Sequence, residues 1–313
     1  MKTTYNNNRI ELPDFLITGA MRSGTTSLYN YLLGHNEIFM PSLKEPHFFS
    51  YYGDQISPHP PEINEKPWTL SDYCKLFTGA KNNQKTGEAS ISYLYIYEKT
   101  IKNILKFYGD SAKHIKIIGL LRNPIDRAWS IYSLKRQGGT WKNNFVSYIN
   151  QFNKEGNKHQ YYNFLASGLY YKQVKTYQRT FPFTKFFLFD ELINDPEHIV
   201  RTCLEFIDVE DVYIPRKVGK IYNYSGIPKN KALNIFYYLL FSRYNIKNKI
   251  KHLIPENKRL EIKRKLGSYF TKKEKLNPEI NMYLKRFFKE DLIRLSGLLK
   301  EENQKEIIRG WIS

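Results

Sequence analysis

Apolar and polar positions along the chain repeat one motif three times: a short apolar run, a turn, then a stretch with helical spacing. The first run is Phe15-Leu16-Ile17-Thr18, followed by a glycine turn and a predicted helix from about Thr25 to Leu33. The second is Ile115 to Leu121, then Arg122-Asn123-Pro124 and a helix to about Arg136. The third runs from Lys185 to Phe189, then a loop through Asp190–Asn194, then Asp195-Pro196-Glu197 opening a helix to about Ile207. In Asn123-Pro124 and Asp195-Pro196 a capping side chain precedes a proline, which already holds helical φ and needs no N–H. Apolar runs that are continuous rather than alternating mean strands buried on both faces. Their alternation with helices means a parallel sheet. The predicted fold class is therefore α/β, a doubly wound parallel sheet flanked by helices.

The C-terminal third reads mainly as helix. Lys231 to Tyr244 is apolar and aromatic, and Asn281 to Leu299 carries Tyr283, Leu284, Phe287, Phe288, Leu292, Leu295 and Leu299 at helical spacing, all expected in the core. No internal repeat and no linker rich in Gly, Pro or Ser divides the 313 residues, so one domain over 1–313 is expected. Residues 1–11, polar and Asn-rich, read as a flexible terminus without the apolar stretch of a signal peptide or anchor. Residues 232–313 read as a mainly helical, basic part.

Charge narrows the choice of partners. The formal net charge is +19, which favours anionic ligands or surfaces. From Phe241 onward there are 19 Lys and Arg against 9 Asp and Glu, a net of +10, and most of these lysines read as solvated helix faces. Aromatics at 16% exclude a disordered chain. Cys74 and Cys203 form no disulfide framework and no metal spacing. No run reaches the ~18 apolar residues of a membrane span, and the expected address is cytoplasmic.

The candidate chemistry begins at Gly19-Ala20-Met21-Arg22-Ser23-Gly24-Thr25-Thr26-Ser27, between the first strand and first helix. A glycine-bearing turn directs successive N–H groups inward and the helix N-terminus adds partial positive charge, so a phosphate suits the site. The loop is P-loop-like, yet Thr25 stands where a Walker lysine would reach β- and γ-phosphates. Arg22, three residues earlier, suits a donor with one phosphate next to the group transferred. Arg122 at the mouth of the second strand and Ser130 two turns into the next helix form a second candidate anion site, since an arginine fork matches phosphate oxygens. Arg127 between them reads as a surface or interdomain ion-pair residue. Asn223 to Lys231 offers Lys229 and Lys231, although Gly226 and Pro228 also make it a plain turn. Pro41 to Phe49 holds Lys44, Glu45 and His47, which by themselves could be a surface ion pair and a packed histidine.

Together these segments resemble the sulfotransferases that use 3′-phosphoadenosine 5′-phosphosulfate, in the carbohydrate-directed, heparan sulfate sulfotransferase-like branch and its bacterial soluble members. The resemblance runs from about Leu12 to Trp311, specific at the two phosphate motifs and loose elsewhere. It implies that Arg22, Ser23, Gly24, Thr25, Thr26 and Ser27 hold the 5′-phosphosulfate and that Arg122 and Ser130 hold the 3′-phosphate. It also implies that Lys229 and Lys231 close over the nucleotide. Glu45 matches the general base, with Arg22 and His47 as further catalytic residues. Gly87-Glu88-Ala89-Ser90-Ile91-Ser92-Tyr93 departs from the family's Glu-Lys-[Ser/Thr]-Pro: Ala89 stands at the lysine, so either another cation, Lys44 or Lys229, supplies that charge or the alignment is shifted there. The implied product is adenosine 3′,5′-bisphosphate, with no metal required. The implied acceptor is a hydroxyl, or as second choice an amine, on a glycan or glycolipid. Nucleic acid is not an expected partner, whereas peripheral contact with an anionic membrane is. Specificity loops are expected at Tyr51–Trp68 and Gly138–Tyr162. Two rival readings are a P-loop phosphotransferase, which the missing lysine disfavours, and a non-enzymatic protein binding nucleic acid or an anionic surface through its charge.

Overall fold

The computed structural model describes residues 1–54, 69–137, 144–155, 163–210, 213–214, 218–219, 227–228, 271–272 and 276–313. The chain divides into two compact units. The first comprises Met1–Asn123, Leu169–Lys220 and Lys289–Ser313, and the second Pro124–Gly168 and Ile221–Phe288. The expected helix at Lys231–Tyr244 lies outside the described residues, as do 55–68 of the first expected specificity loop and 138–143 and 156–162 of the second, whose 145–155 is helical instead.

The first unit opens with a hairpin of β1 (Lys2–Tyr5) and β2 (Asn8–Glu11) where a flexible terminus was expected. The reason is local and tertiary at once. Asn6 and Asn7 take φ of 49° and 64°, the left-handed pair that a two-residue hairpin turn requires and that Asn tolerates. The Thr3 hydroxyl donates to the Tyr108 carbonyl at 3.0 Å, and Tyr5 packs on Phe107.

The main sheet follows. Its strands are β3 (Phe15–Ile17), β4 (Ile38–Phe39), β5 (Lys85–Ala89), β6 (Lys116–Leu121) and β7 (Thr184–Leu188). They lie in the order β4-β5-β3-β6-β7, and every neighbouring pair is parallel. Phe15–Ile17 and Ile117–Leu121 are buried throughout, as continuous apolar runs demand. The chain leaves β3 for β4 and β5 on one side and returns to β6 on the other. The carboxyl end of β3 is thus the topological switch point, where open α/β sheets bind ligands.

Helices α1 (Thr25–Leu32), α2 (Phe48–Tyr51), α3 (Leu70–Lys75), α4 (Ser92–Tyr95) and α5 (Tyr97–Tyr108) connect or cover these strands. An aromatic core of Phe48, Phe49, Tyr73, Phe107 and Tyr108 packs among them, with Phe48 and Tyr73 stacked at 4.4 Å. The N-terminal capping expectations hold at Asp195, whose carboxylate accepts from the His198 N–H at 3.0 Å ahead of Pro196.

The second unit begins with α6 (Pro124–Gln137) and continues with α7 (Phe145–Glu155). Trp129, Tyr132, Phe145 and Phe164 pack ring against ring there. Arg127, expected at the surface, is fully buried among them. Its guanidinium donates to the Phe164 carbonyl at 2.7 Å and the Ser167 hydroxyl at 3.0 Å, so it holds the chain near 164–167 in place. The short strands β8 (Ile227–Pro228) and β9 (Thr271–Lys272) pair antiparallel in this unit.

Beyond residue 169 the first unit resumes with α8 (Tyr170–Thr180), β7, α9 (Phe189–Asn194) and α10 (Pro196–Phe206). The expected loop at Asp190–Asn194 is the helix α9, because Glu191 reaches back to accept from the Leu188 N–H at 2.7 Å and so caps the turn. The C-terminal part is helical: α11 (Pro278–Ser296) and α12 (Glu302–Ile312). Leu284, Phe288, Leu292, Leu295 and Leu299 are core, as their spacing predicts. Tyr283 is exposed instead, and Phe287 half-buried, since the buried stripe is narrower than the run of apolar letters.

Candidate active site

Three chain segments meet the carboxyl ends of neighbouring strands in the first unit: the loop after β3, the turn at 44–47 and the segment after β6. The loop after β3 remains tied to the sheet. The Thr18 N–H donates to the Ile118 carbonyl at 2.8 Å and the Ala20 N–H to that of Leu120 at 2.7 Å. Gly24 caps α1 with φ of 93°, and a Cβ there would stand 2.6 Å from the Leu192 side chain. Only glycine meets both conditions, which explains the second glycine of the motif. Thr25, Thr26 and Ser27 then form the first turn of α1, whose first N–H groups have no partners within the helix.

Two arginines converge on this loop. Arg22 has φ of 67° and Arg122 donates to the Arg22 carbonyl at 3.0 Å, while its own carbonyl accepts from the Tyr170 hydroxyl at 3.0 Å. The Arg122 guanidinium lies 4.5 Å from the centre of the Phe189 ring, which orients its fork. Burial and then the positive charge of Arg122 lower the Arg22 guanidinium to about 10, so it is still cationic at neutral pH. Mutual repulsion of two partly buried cations is relieved by an anion between or beside them. Ser23 is fully buried and its hydroxyl has no hydrogen-bond partner. An orphaned donor at the mouth of a phosphate-type loop, with two guanidinium groups at hand, fits a phosphosulfate.

The turn at 44–47 hangs on the adjacent strand. The Glu45 N–H donates to the Ala89 carbonyl at 3.1 Å, and Ala89 is paired with Ile17 of β3, one strand over. Glu45 and His47 both lie in the left-handed region, with φ of 60° and 56°. For a glutamate that conformation is strained and is commonly kept where geometry serves function. Lys44 Nζ lies 2.5 Å from Glu45 Oε1, and His47 Nε2 lies 3.6 Å from Oε2. Burial pushes the Glu45 carboxyl upward, but hydrogen bonding to His47 and the charges of Lys44 and His47 outweigh it and hold the group down to about 2. The Glu45 side chain is 28% exposed and His47 is nearly buried, so both sit at the wall of the site rather than on open surface.

His47 is held from two directions. Its N–H donates to the Ser90 hydroxyl at 2.9 Å, and Ser90 donates in turn to the buried Glu88 carboxylate at 2.8 Å. Its ring Nδ1 meets the Ser92 hydroxyl at 2.7 Å. Glu88 also accepts from the Tyr73 hydroxyl at 3.1 Å. Ala89 is buried and supplies no charge, and Lys44 is a cation beside the carboxylate. Ser90 and Ser92 escaped notice in the sequence. The Ser-x-Ser spacing after Glu88 was readable, but only the strand end that places both hydroxyls under His47 shows their use.

Within the first unit the structure thus joins Arg122 to the loop of Arg22, Ser23, Gly24, Thr25, Thr26 and Ser27, and places Lys44, Glu45 and His47 at the end of the adjacent strand β5. Ser130 is buried on α6 and belongs to the second. Lys229 and Lys231 lie outside the described residues.

Comparison with known proteins agrees with this geometry. Residues 12–296 match the family model described as "Sulfotransferase domain". A solved sulfotransferase from Alicyclobacillus acidocaldarius is 26% identical, with a TM-score of 0.67, covering 92% of this chain and 96% of that one. A membrane-associated sulfotransferase of Dictyostelium discoideum, kil1, is 32% identical over 127 residues, which span 40% of this chain and 24% of that protein. The chain thus matches about a quarter of the length of that curated relative.

Proposed function

The chain belongs to the sulfotransferase family, whose enzymes transfer sulfate, and from that premise we propose that it uses 3′-phosphoadenosine 5′-phosphosulfate to sulfate a hydroxyl on a glycan or glycolipid. The observation that carries this reading is the pairing of Arg22 and Arg122 at the switch point, beside the orphaned Ser23 hydroxyl and one strand from Glu45. Arg22, the free N–H groups at the start of α1 and the hydroxyls of Ser23, Thr25, Thr26 and Ser27 hold the 5′-phosphosulfate; Arg122 holds the 3′-phosphate. The donor supplies the sulfuryl group. Glu45 takes the acceptor's hydroxyl proton as that oxygen bonds to sulfur and the sulfur–oxygen bond to the 5′-phosphate breaks, leaving adenosine 3′,5′-bisphosphate.

A carboxylate held at about 2 is a weak base. Lys44 resolves this. When Lys44 turns from Glu45 toward the sulfuryl oxygens, it stabilises the charge developing there, and Glu45 loses one of the two partners, His47 being the other, that suppress its basicity. Lys44 thereby fills the role left open at Ala89. The two units act as one sulfotransferase domain, a reading supported by the match from 12 to 296, which spans residues of both.

Among the described residues no helix is long and apolar enough to cross a membrane. The basic C-terminal part and a relative named as membrane-associated support a reading in which the enzyme meets its acceptor at an anionic membrane surface.

The test is thermal stability with adenosine 3′,5′-bisphosphate, against AMP and against ATP with magnesium. At ~100 times its dissociation constant the bisphosphate should stabilise by about 2.7 kcal/mol. Stabilisation by ATP to the same degree, or by none of the three, overturns the reading.

A further inference from the structure

Both Glu45 and His47 line the proposed transfer site, and either could in principle move a proton. The hydroxyl chain behind His47 separates their roles. His47 Nδ1 meets Ser92 Oγ at 2.7 Å, Ser92 Oγ meets Ser50 Oγ at 2.7 Å, and Ser50 Oγ meets Thr100 Oγ1 at 3.3 Å. Ser50 and Thr100 are fully buried. On its other edge the imidazole presents Nε2 to Glu45 Oε2 at 3.6 Å. A neutral ring with its proton on Nδ1 would aim the Nε2 lone pair at a carboxylate, which is repulsive. The opposite tautomer lets Ser92 donate to Nδ1 and turns Nε2–H toward the carboxylate. A serine hydroxyl both donates and accepts. If the ring becomes cationic, Ser92 accepts from Nδ1–H and passes its own proton toward Ser50, and Nε2 again carries a proton.

We infer that Ser92, backed by Ser50 and Thr100, is a positioning residue that keeps His47 Nε2 protonated and aimed at the Glu45 carboxylate. His47 is then a hydrogen-bond donor to Glu45, and Glu45 alone accepts the acceptor's proton. This rests on the assignment of Glu45 and His47 to the transfer site. Ser90 fixes the backbone at the same residue, so the ring is held at both ends.

The experiment is ¹⁵N NMR of the full chain with labelled histidine, saturated with adenosine 3′,5′-bisphosphate. The His47 signal is assigned by its loss in His47→Asn. In the native protein the neutral ring should be wholly the Nε2–H form. In Ser92→Ala the Nδ1–H form should appear beside it, and Ser92→Thr, which keeps the hydroxyl, should restore the native spectrum. A native ring carrying its single proton on Nδ1 overturns the inference. So does a Ser92→Ala spectrum identical to the native one. Bisphosphate binding followed in the same samples separates this outcome from failure of the donor assignment, because the tautomer is read without any sulfuryl transfer.

Discussion

The loop after β3 and the turn at 44–47 stand at the ends of adjacent strands and solve opposite problems. On the proposed reading the loop attracts an anion, chiefly with backbone, through a left-handed Gly24 and the N–H groups at the start of α1, with Arg22 and Arg122 as cations. On the same reading the turn carries an anion of its own without repelling the donor. Lys44 and His47 therefore flank Glu45 and hold it ionised at about 2. The loop tolerates modest side-chain change because its N–H groups belong to every residue. The turn depends on individual side chains, each placed by a strained backbone and by hydroxyls borrowed from the segment after β5.

That contrast predicts where substitutions act. The largest effect is expected in the turn. Glu45→Gln should lower turnover on the order of 10²–10⁴-fold, with bisphosphate binding unchanged in a thermal-shift titration. Lost binding would show that the turn belongs to the anion site after all. Next comes the arginine of the loop side. Arg122→Ala removes a charge-assisted contact worth about 1.5–3 kcal/mol. Calorimetry should show adenosine 3′,5′-bisphosphate weakened ~10–100-fold while AMP changes little; equal weakening of both would remove the 3′-phosphate assignment.

A smaller effect tests whether the loop binds mainly through backbone. Ser23→Ala deletes an orphaned hydroxyl, so the ligand-free protein should be as stable as the native one or slightly more so in a denaturant titration. Bisphosphate affinity should fall only several-fold, about the ~1 kcal/mol of one neutral hydrogen bond. A loss as large as that of Arg122→Ala would mean the loop, like the turn, relies on single side chains.

The smallest effect lies away from both regions. Asp291 accepts from the Tyr171 N–H at 3.1 Å, and burial pushes its carboxyl up to about 6 despite that bond. A carboxyl whose folded value is above its unfolded one, ~3.9, binds more protons when folded. Its contribution is present below the unfolded value and declines as pH rises through about 6. Native stability should therefore fall slightly from pH ~4 to 6 in thermal melts, and Asp291→Asn should flatten that window. Glu45 runs the other way: its contribution is lost only as pH falls from its unfolded value, ~4.3, through about 2.

Local chemistry in the chain was enough to define the α/β class, the glycine loop, the Asn-Pro and Asp-Pro helix starts and the identity of Arg22, Arg122, Glu45 and His47 as candidates. Continuous apolar runs, fixed φ at proline and the need for glycine at a left-handed cap act over a few residues, so they show in the letters. The strand order, which makes the end of β3 a switch point, did not show. Strands β4 and β5 are short, and Lys85-Thr86-Gly87-Glu88-Ala89 is not an apolar run, so only pairing with β3 reveals it as a central strand. Asn6-Asn7 was read as polar and loose because its turn matters only once Tyr108 and Phe107 receive the hairpin. Arg127 looked like a surface charge because burial of a guanidinium depends on carbonyls far along the chain. The support under His47 was equally hidden. Ser50, Ser90, Ser92 and Thr100 are ordinary residues in sequence; Ser92, Ser50 and Thr100 become a hydrogen-bonded chain behind the ring, and Ser90 a support for its backbone, only when α2, α4, α5 and the end of β5 converge. Residue type sets which chemistry is available, whereas burial and long-range hydrogen bonding decide which of those groups can use it.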